Sequence, residues 1–232
     1  MIPEAIAHRG LRDSYPENSI PAFIAAVDAG ADAIELDVHA TRDGVVVVHH
    51  DPHLSRESTS SLAGRAIAAL GHDELSKFEL QPGVGVPTLE ATLEEIAPRA
   101  RVYIEIKAPE IESSVAAALS KIPNAAEQCA VHSFDHRIVK RFRELATRIP
   151  GGILLVAYPI DAASLLRTAD ARDFWAQCEF IDRDLVESIH DEGGRVIAWT
   201  GNDEAEWSRL RAAGVDGICT DRVGALVSSL RD

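Results

Sequence analysis

The stretch AGADAIELD at residues 29–37 recurs in outline as AGVDGICTD at residues 213–221. In both, a helical segment ends on glycine, the residue type that most often closes a helix, and a short turn then opens an apolar strand. Each strand ends on an aspartate, Asp37 in the first and Asp221 in the second. The recurrence indicates one structural unit, a helix followed by a strand, that is used near both ends of the chain.

The same alternation of short apolar runs and longer helical stretches fills the rest of the chain. The predicted strands are Ala5–Ala7, Ala33–Val38, Val102–Ile106, Ala130–His132, Gly152–Ala157, Glu179–Ile181, Val196–Trp199 and Gly217–Cys219. The predicted helices are Ile20–Ala29, Leu89–Ala97, Ile111–Leu119, Ile138–Ile149, Ala162–Arg172, Asp184–Glu192, Glu204–Ala213 and Val223–Leu230. Such units predict a (β/α)8 TIM barrel, an α/β fold whose functional groups collect at the carboxyl ends of the strands. A doubly wound open sheet is the alternative, but no G-x-G-x-x-G turn supports it.

The regular spacing breaks once, between the second and third predicted strands. Asp43-Gly44 predicts a turn, and Val45–Val48 predicts a short extended run after it. Residues 52–86 are polar and irregular in pattern, with one short helix expected near His72–Phe78. Because long loops inside a compact domain are usually functional, we expect this insertion to cap the mouth of the barrel.

Composition restricts the partners and the location. The chain of 232 residues is 46% hydrophobic and 26% charged, which is typical of a globular protein. A net charge of −14 would repel nucleic acid and anionic membrane surfaces, so an anionic ligand would require positive charge supplied locally by a metal or a few side chains. Without an apolar run of roughly 18–20 residues or a signal-peptide pattern, we expect a cytoplasmic location and no membrane insertion. Three scattered cysteines predict buried thiols rather than a disulfide framework or a zinc site.

Acidic residues alternate with apolar ones on two predicted strands. Glu35 and Asp37 project to one face of their strand, toward the barrel interior, and Glu105 and Lys107 repeat the pattern on the next strand. Three carboxylates on neighbouring strands offer oxygen ligands to a hard divalent cation, Mg²⁺ or Ca²⁺. The alternative is an ion-pair cluster without metal, in which Arg9 or Lys107 neutralises Asp37 or Glu105.

Two histidines stand beside these acids in the predicted fold. His8 ends the first strand, and His50 follows the short extended run. Paired histidines next to a carboxylate cluster suit general acid and base catalysis, although either alone would more often be structural. The remaining histidines have no such setting, and most are expected on the surface or in loops: His39, His49, His53, His72, His132, His136 and His190.

Two further groups each have two interpretations. In Pro16–Ser19, either Asn18 or Ser19 caps the following helix, or Glu17 or Asn18 points into the barrel mouth. Phe134 and Trp199 follow or end predicted strands, where they either wall a substrate pocket or cap the core.

In their order and spacing, these motifs resemble the glycerophosphodiester phosphodiesterase family. The matching motifs run from residue 6 to residue 222 and are 8–10, 16–19, 35–38, 41–44, 48–51, 54–56 with Thr59, 87–90, 104–107, 133–134, 199–202 and 214–221. The resemblance implies a single barrel domain over residues 1–232 with the insertion at 52–86. It also implies cation-dependent hydrolysis of glycerophosphodiesters to sn-glycerol 3-phosphate and an alcohol.

The resemblance also implies a role for each site residue. By position, the acid–base pair would be His8 and His50, and the cation ligands would be Glu35, Asp37 and Glu105. Substrate would be contacted by Arg9, Lys107, Glu17, Phe134 and Trp199, with Arg9 and Lys107 on the phosphate. Attack by water and attack by the glycerol 2-hydroxyl both remain open.

Two other functions are compatible with the same residue types. A barrel lyase or isomerase would use Lys107 as a base beside a metal-bound carboxylate triad, and a binding protein would only hold a phosphorylated ligand. The pair of histidines favours phosphoryl chemistry over the lyase or isomerase, and a protein that only binds its ligand has no need of an acid–base pair.

Overall fold

The computed structural model describes residues 2–231. Its strands are β1 (Glu4–His8), β2 (Ala33–Ala40), β3 (Val46–Val48), β4 (Glu79–Gln81), β5 (Val84–Gly85), β6 (Arg101–Ile106), β7 (Cys129–Ser133), β8 (Gly151–Leu155), β9 (Asp173–Gln177), β10 (Arg195–Trp199) and β11 (Gly217–Thr220). Its helices are α1 (Ile20–Asp28), α2 (His72–Leu75), α3 (Leu89–Ile96), α4 (Glu112–Leu119), α5 (Ala125–Gln128), α6 (His136–Leu145), α7 (Ala162–Ala169), α8 (Arg183–Asp191), α9 (Glu204–Ala213) and α10 (Val223–Arg231).

The main sheet closes on itself as the predicted barrel. Eight strands run parallel in the order β1, β2, β6, β7, β8, β9, β10, β11, and β1 pairs with both β2 and β11. Helices lie in the connections between consecutive ring strands, so the prediction of a (β/α)8 barrel is confirmed. The predicted extended run is β3, which pairs antiparallel with β2 outside the ring, with Val38 opposite Val48.

Two apolar layers hold the barrel together. The strand side chains that face outward pack with the helices in one continuous core, which includes Ile34, Leu36 and Ile104. A smaller cluster fills the barrel interior, where Tyr103 and Trp175 are fully buried. Because the interior is packed below the carboxyl ends of the strands, ligands have access only at that end.

One predicted strand is wrong. Glu179–Ile181 was expected in the sheet, but residues 178–180 form a turn of 3-10 helix, and the strand is β9, five residues earlier. The preceding helix ends at Ala169 because Asp170 adopts a left-handed backbone with φ of 53°, a position usually held by glycine. The aspartate cap conceals the end of the helix in the sequence, so the predicted helix was too long and the strand too late.

The insertion at 52–86 has a core of its own, contrary to the polar and irregular pattern read from its sequence. It contains a 3-10 turn at Ile67–Ala69, the short helix α2 and the hairpin β4–β5. Its buried apolar side chains pack with Val47 of β3 and are Leu54, Leu62, Ile67, Leu70, Leu75, Phe78 and Val86. The segment is therefore anchored on β3, beside the barrel.

Charged residues close the opposite end of the barrel. The carboxylate of Glu4 accepts hydrogen bonds from Tyr103 Oη at 2.7 Å and from Arg195 at 2.8 Å, and it also pairs with Arg101. The network satisfies the buried acid and leaves the strand ends at the other face as the open mouth. No helix within residues 2–231 has the length and apolar character required to cross a membrane.

Candidate active site

A cavity of about 110 Å³ opens at the carboxyl ends of the strands. Its lining combines acids, bases and aromatic rings: His8, Arg9, Glu35, His50, Glu105, Lys107, His132, Phe134, Leu154, Trp175, Trp199 and Cys219. Most of the predicted site residues therefore meet in one place. None of the described residues of the insertion 52–86 lines this cavity, so the mouth is walled by the barrel itself and by His50.

The backbone after β1 turns sharply and directs two polar side chains into the mouth. Arg9 and Gly10 both have left-handed backbones, with φ of 58° and 86°. A methyl group at Gly10 would lie 2.8 Å from the backbone of Ala22, so only glycine allows α1 to pack this close. The tight turn fixes the direction in which His8 and Arg9 leave the strand.

Asp37 is fully buried and is surrounded by polar partners. Arg9 Nε lies 3.1 Å from Oδ2, and Lys107 Nζ lies 3.5 Å from Oδ1. The Asn18 amide donates to Oδ2 at 2.9 Å, while its oxygen accepts from the Asp37 backbone N–H at 3.2 Å. Burial acts to raise the pKa of Asp37, but Arg9, Lys107 and Asn18 outweigh it and hold the pKa below its ordinary value. Asp37 is therefore ionised in the folded protein.

The pKa of Glu105 is shifted in the opposite direction to that of Asp37. Burial, the main cause, and the nearby charge of Asp37 raise the pKa of Glu105 to about 7, although Lys107 Nζ lies only 3.0 Å from its Oε1. Asp37 and Glu105 stand side by side in the register of β2 and β6. Two buried carboxylates share Lys107, so without further positive charge one of them is partly protonated near neutral pH.

His8 is held by a carboxylate that the sequence analysis noted without assigning it a role. Its Nδ1 lies 2.7 Å from Asp221 Oδ1, and Arg12 also donates to that oxygen. Burial acts to raise the pKa of Asp221, but the hydrogen bond and charge of His8, with Asn202 and Arg12, hold the pKa at about 2. Because the ionised carboxylate only accepts, Nδ1 of His8 carries a proton and Nε2 is left for other contacts.

His50 has a similar arrangement at a more exposed position. Its Nδ1 lies 2.9 Å from Asp51 Oδ1. Its backbone carbonyl accepts a hydrogen bond from Nε2 of His39 at 3.0 Å. Burial lowers the pKa of His39, which keeps that ring neutral, so His39 acts as a fixed donor that positions the backbone of His50. His39 is an exception to the expectation that most of these histidines lie on the surface or in loops, since it is a buried residue of β2.

His132 is the second exception among these histidines. It is only 1% exposed and lies on β7, directly beside Glu105 of β6 in the sheet register. Glu35, Glu105 and His132 each offer a ligand atom, and these atoms all lie within 4.8 Å of one another. The sequence contained a signal for His132. It is the last residue of a predicted strand, and the acids predicted as site residues also lie at or near the ends of predicted strands.

The donor atoms fit a divalent cation. Glu35 Oε2 and Asp37 Oδ1 are buried acceptors without a hydrogen-bond partner among the described residues. Such atoms are costly unless a cation or a donor meets them, and carboxylate oxygens are preferred ligands of hard divalent ions. The ion pairs expected from the sequence are present, because Arg9 and Lys107 neutralise Asp37 and Lys107 also pairs with Glu105, and oxygens without hydrogen bonds remain that can accept a cation.

The other predicted substrate residues lie at different depths. Glu17 is outside the cavity lining and binds Arg9 at 3.0 Å and Arg12 at 2.7 Å. Ser19 caps α1, while Asn18 points inward to Asp37, so the two interpretations of this turn apply to different residues. Phe134 and Trp199 line the cavity with their rings edge to face, their centroids 5.4 Å apart.

Comparisons with known proteins give one consistent result. The model of the glycerophosphoryl diester phosphodiesterase family matches residues 8–225. The protein YhdW of Bacillus subtilis is 32% identical over 234 residues, covering 93% of each chain. A glycerophosphodiester phosphodiesterase of Caldanaerobacter subterraneus is 30% identical over 239 residues, covering 97% of each. A phosphodiesterase of Oleispira antarctica, solved with the product sn-glycerol-3-phosphate, is 25% identical with a TM-score of 0.89, covering 100% of this chain and 98% of that one.

We expect Glu105→Gln to make the stability of the metal-free protein less sensitive to a rise in pH from about 4.5 to about 7. The pKa of Glu105 rises from an ordinary 4.5 to about 7 on folding, so the unfolded chain loses this proton first as pH increases. The wild-type free energy of unfolding should therefore fall between pH 4.5 and pH 7, relative to the variant, by on the order of 3 kcal/mol. Urea denaturation in excess chelator at a series of pH values measures the difference.

The control for this experiment is Glu94→Gln, which removes an exposed glutamate of α3. Its stability should follow the wild-type pH dependence. Parallel pH curves for wild type and Glu105→Gln would contradict the raised pKa.

Proposed function

Because the chain belongs to the glycerophosphoryl diester phosphodiesterase family, we propose that it hydrolyses glycerophosphodiesters to sn-glycerol 3-phosphate and an alcohol with the aid of a divalent cation. One observation carries the proposal beyond family membership. His8 and His50 open into a single cavity with Arg9, Lys107 and the carboxylates of Glu35 and Glu105. This set supplies proton transfer and charge neutralisation, the two requirements of phosphodiester hydrolysis.

The proposed cation ligands are Glu35, Asp37 and Glu105, and Mg²⁺ or Ca²⁺ suits such oxygen donors. When bound, the ion would withdraw charge from a non-bridging phosphoryl oxygen and so lower the barrier to nucleophilic attack. The protein prepares this set by keeping Asp37 ionised and by leaving Glu35 Oε2 and Asp37 Oδ1 without hydrogen bonds. A bound cation would also relieve the repulsion that raises the pKa of Glu105.

Two cationic side chains would receive the phosphate. Arg9 and Lys107 line the cavity, and each is paired with an acid, Arg9 with Glu17 and Lys107 with Glu105. Glu17 acts in this proposal through Arg9, since it binds the guanidinium at 3.0 Å and does not line the cavity. Its role is to orient the arginine toward substrate.

Proton transfer is assigned to His8 and His50, one as the acid and the other as the base. Both use Nδ1 to bind a carboxylate, Asp221 and Asp51 respectively, which directs Nε2 of each ring away from that contact. An ionised partner stabilises the imidazolium form that appears when either ring takes up a proton. Asp221 is itself oriented by Asn202, whose amide donates to Oδ2 at 2.8 Å.

Removal of the cation should abolish hydrolysis. Excess chelator is expected to stop release of sn-glycerol 3-phosphate from glycerophosphocholine, and added Mg²⁺ or Ca²⁺ should restore it, because Arg9 and Lys107 are already paired with acids. A coupled assay for the released product measures the rate. Full turnover in chelator, or full turnover by Glu105→Ala, would refute the role of the ion.

His8→Ala and His50→Ala should each lower kcat by at least about a hundredfold, the usual effect of removing a positioned acid or base. The wild-type pH–rate profile should be bell-shaped, and each variant should lose one limb. His190→Ala is the matched control, since His190 lies on α8 and binds Asp216 at the closed end of the barrel. Near wild-type turnover in either site variant, with the fold intact by circular dichroism, would exclude the assigned role.

Selectivity among head-group alcohols should be weak. The cavity is lined by barrel strand ends and His50, and none of the described residues of 52–86 contributes to it, so little structure is available to read the alcohol. Glycerophosphocholine, glycerophosphoethanolamine and glycerophosphoglycerol should differ in kcat/KM by less than about tenfold, or about 1.4 kcal/mol. Steady-state kinetics on the three substrates test this, and a thousandfold preference for one would show that a head-group site exists.

A further inference from the structure

His132 is a buried imidazole whose polar atoms have no use within the fold. Both ring nitrogens lack a hydrogen-bond partner among the described residues, and the side chain is 1% exposed. Its Nε2 lies 3.6 Å from Glu35 Oε1, too long for a hydrogen bond. A buried donor and acceptor left unsatisfied cost about 1–3 kcal/mol each, so a histidine here requires a compensating function.

The barrel holds this ring in one orientation. It stacks on Trp175 with ring centroids 4.3 Å apart and an angle of 20° between the planes. Gly152 of β8 makes room for the stack, because a methyl group there would lie 3.0 Å from the indole and 3.2 Å from the Cβ of His132. The arrangement places Nε2 next to Glu35, at the edge of the carboxylate set.

The distances between the donor atoms of three side chains are short enough for all three to bind one ion. The closest donor atoms of Glu35, Glu105 and His132 lie within 4.8 Å of one another. Nitrogen and oxygen ligands stand roughly 2.0–2.2 Å from a transition-metal ion, so atoms on opposite sides of it are about 4 Å apart. Small side-chain rotations would therefore let all three residues contact a single ion.

We propose that Nε2 of His132 is a direct ligand of the cation, which gives this site a nitrogen donor and a preference for Mn²⁺, Co²⁺ or Zn²⁺ over Mg²⁺ and Ca²⁺. This inference rests on the proposed cation site at Glu35 and Glu105 and specifies its chemistry. Imidazole suits transition metals, whereas Mg²⁺ and Ca²⁺ take oxygen ligands almost exclusively. The geometry of the cavity does not prevent Mg²⁺ or Ca²⁺ from binding, so the proposed preference is a ratio of binding affinities.

Mn²⁺ binding to the metal-free protein tests the proposal without any substrate. Pulsed electron paramagnetic resonance of bound Mn²⁺ should show coupling to a directly coordinated ¹⁴N nucleus in the wild type. His132→Gln, which keeps a polar side chain of similar length, should lose this coupling. It should also lower the ratio of Mn²⁺ to Mg²⁺ affinity by at least about tenfold, the lower range for loss of a residue that supports a metal site.

Two controls make the result specific. His190→Gln removes a histidine at the closed end of the barrel and should keep both the coupling and the affinity ratio. His132→Asn serves as a second variant if His132→Gln is unstable, with thermal denaturation of each variant as the check on folding. Absence of ¹⁴N coupling in the wild type, or equal losses of Mn²⁺ and Mg²⁺ affinity in both His132 variants, would overturn the proposal.

The outcome is separable from that of the proposed function. Coupling to nitrogen in a protein that cleaves no glycerophosphodiester with any cation would support His132 as a ligand while refuting the activity. Chelator-sensitive hydrolysis by a protein whose bound Mn²⁺ shows no nitrogen coupling would support the activity while refuting the role of His132.

Discussion

The carboxylate of Asp37 is the contact on which the mouth of the barrel depends. It is completely buried, and groups from two connections converge on it: Arg9 and Asn18 from the connection between β1 and α1, and Lys107 after β6. Both connections are also held by backbone hydrogen bonds, from Arg9 N–H to Glu35 O and from Lys107 N–H to Val38 O. The ionised carboxylate links the two connections and orients the cationic side chains within them. Loss of this charge would leave two partly buried cations without their common partner.

This arrangement sets the electrostatics of the neighbouring acids. Arg9 and Lys107 keep Asp37 ionised, whereas burial, with the charge of Asp37, raises the pKa of Glu105 to about 7 although Lys107 Nζ lies 3.0 Å from it. The site therefore contains more carboxylate than its own cations can neutralise. Unlike an ion pair that serves only stability, an imbalance of this kind creates affinity for a further positive charge. The raised pKa of Glu105 and the oxygens of Glu35 and Asp37 that lack hydrogen bonds both reflect a shortage of positive charge around the buried carboxylates.

The barrel and most of the site could be predicted from the sequence because both follow from simple periodicities. Apolar residues at alternate positions identify a strand, and the acids between them, such as Glu35 and Glu105, must then face the interior. The strand at β9 was missed because Asp170, not glycine, closes the helix before it. The core of the insertion was missed because its apolar residues are spread along short turns without a regular period.

The histidines show where a single sequence becomes insufficient. His8 and His50 were selected because they stand beside acidic motifs. The position of His132 at the end of a predicted strand was a weaker signal, and its importance becomes clear through neighbours on other strands: Glu35, Glu105 and Trp175. The same applies to His39, whose partner is a backbone carbonyl eleven residues away. Which ring nitrogen of a histidine carries the proton depends on its contacts with residues distant in sequence, and a local sequence pattern does not show these contacts.

The overall negative charge of the protein opposes the binding of an anionic substrate before a cation is bound. A chain with a net charge of −14 repels an anionic phosphodiester at long range, and the cationic groups at the mouth are already paired with acids. Under the proposed function, a bound divalent cation would offset the negative charge of the carboxylates and leave Lys107 and Arg9 more able to bind phosphate. Because such coupling is reciprocal, substrate would then increase the affinity for the cation by the same factor by which the cation increases the affinity for substrate. The acidic site would in this way make phosphate binding conditional on the metal.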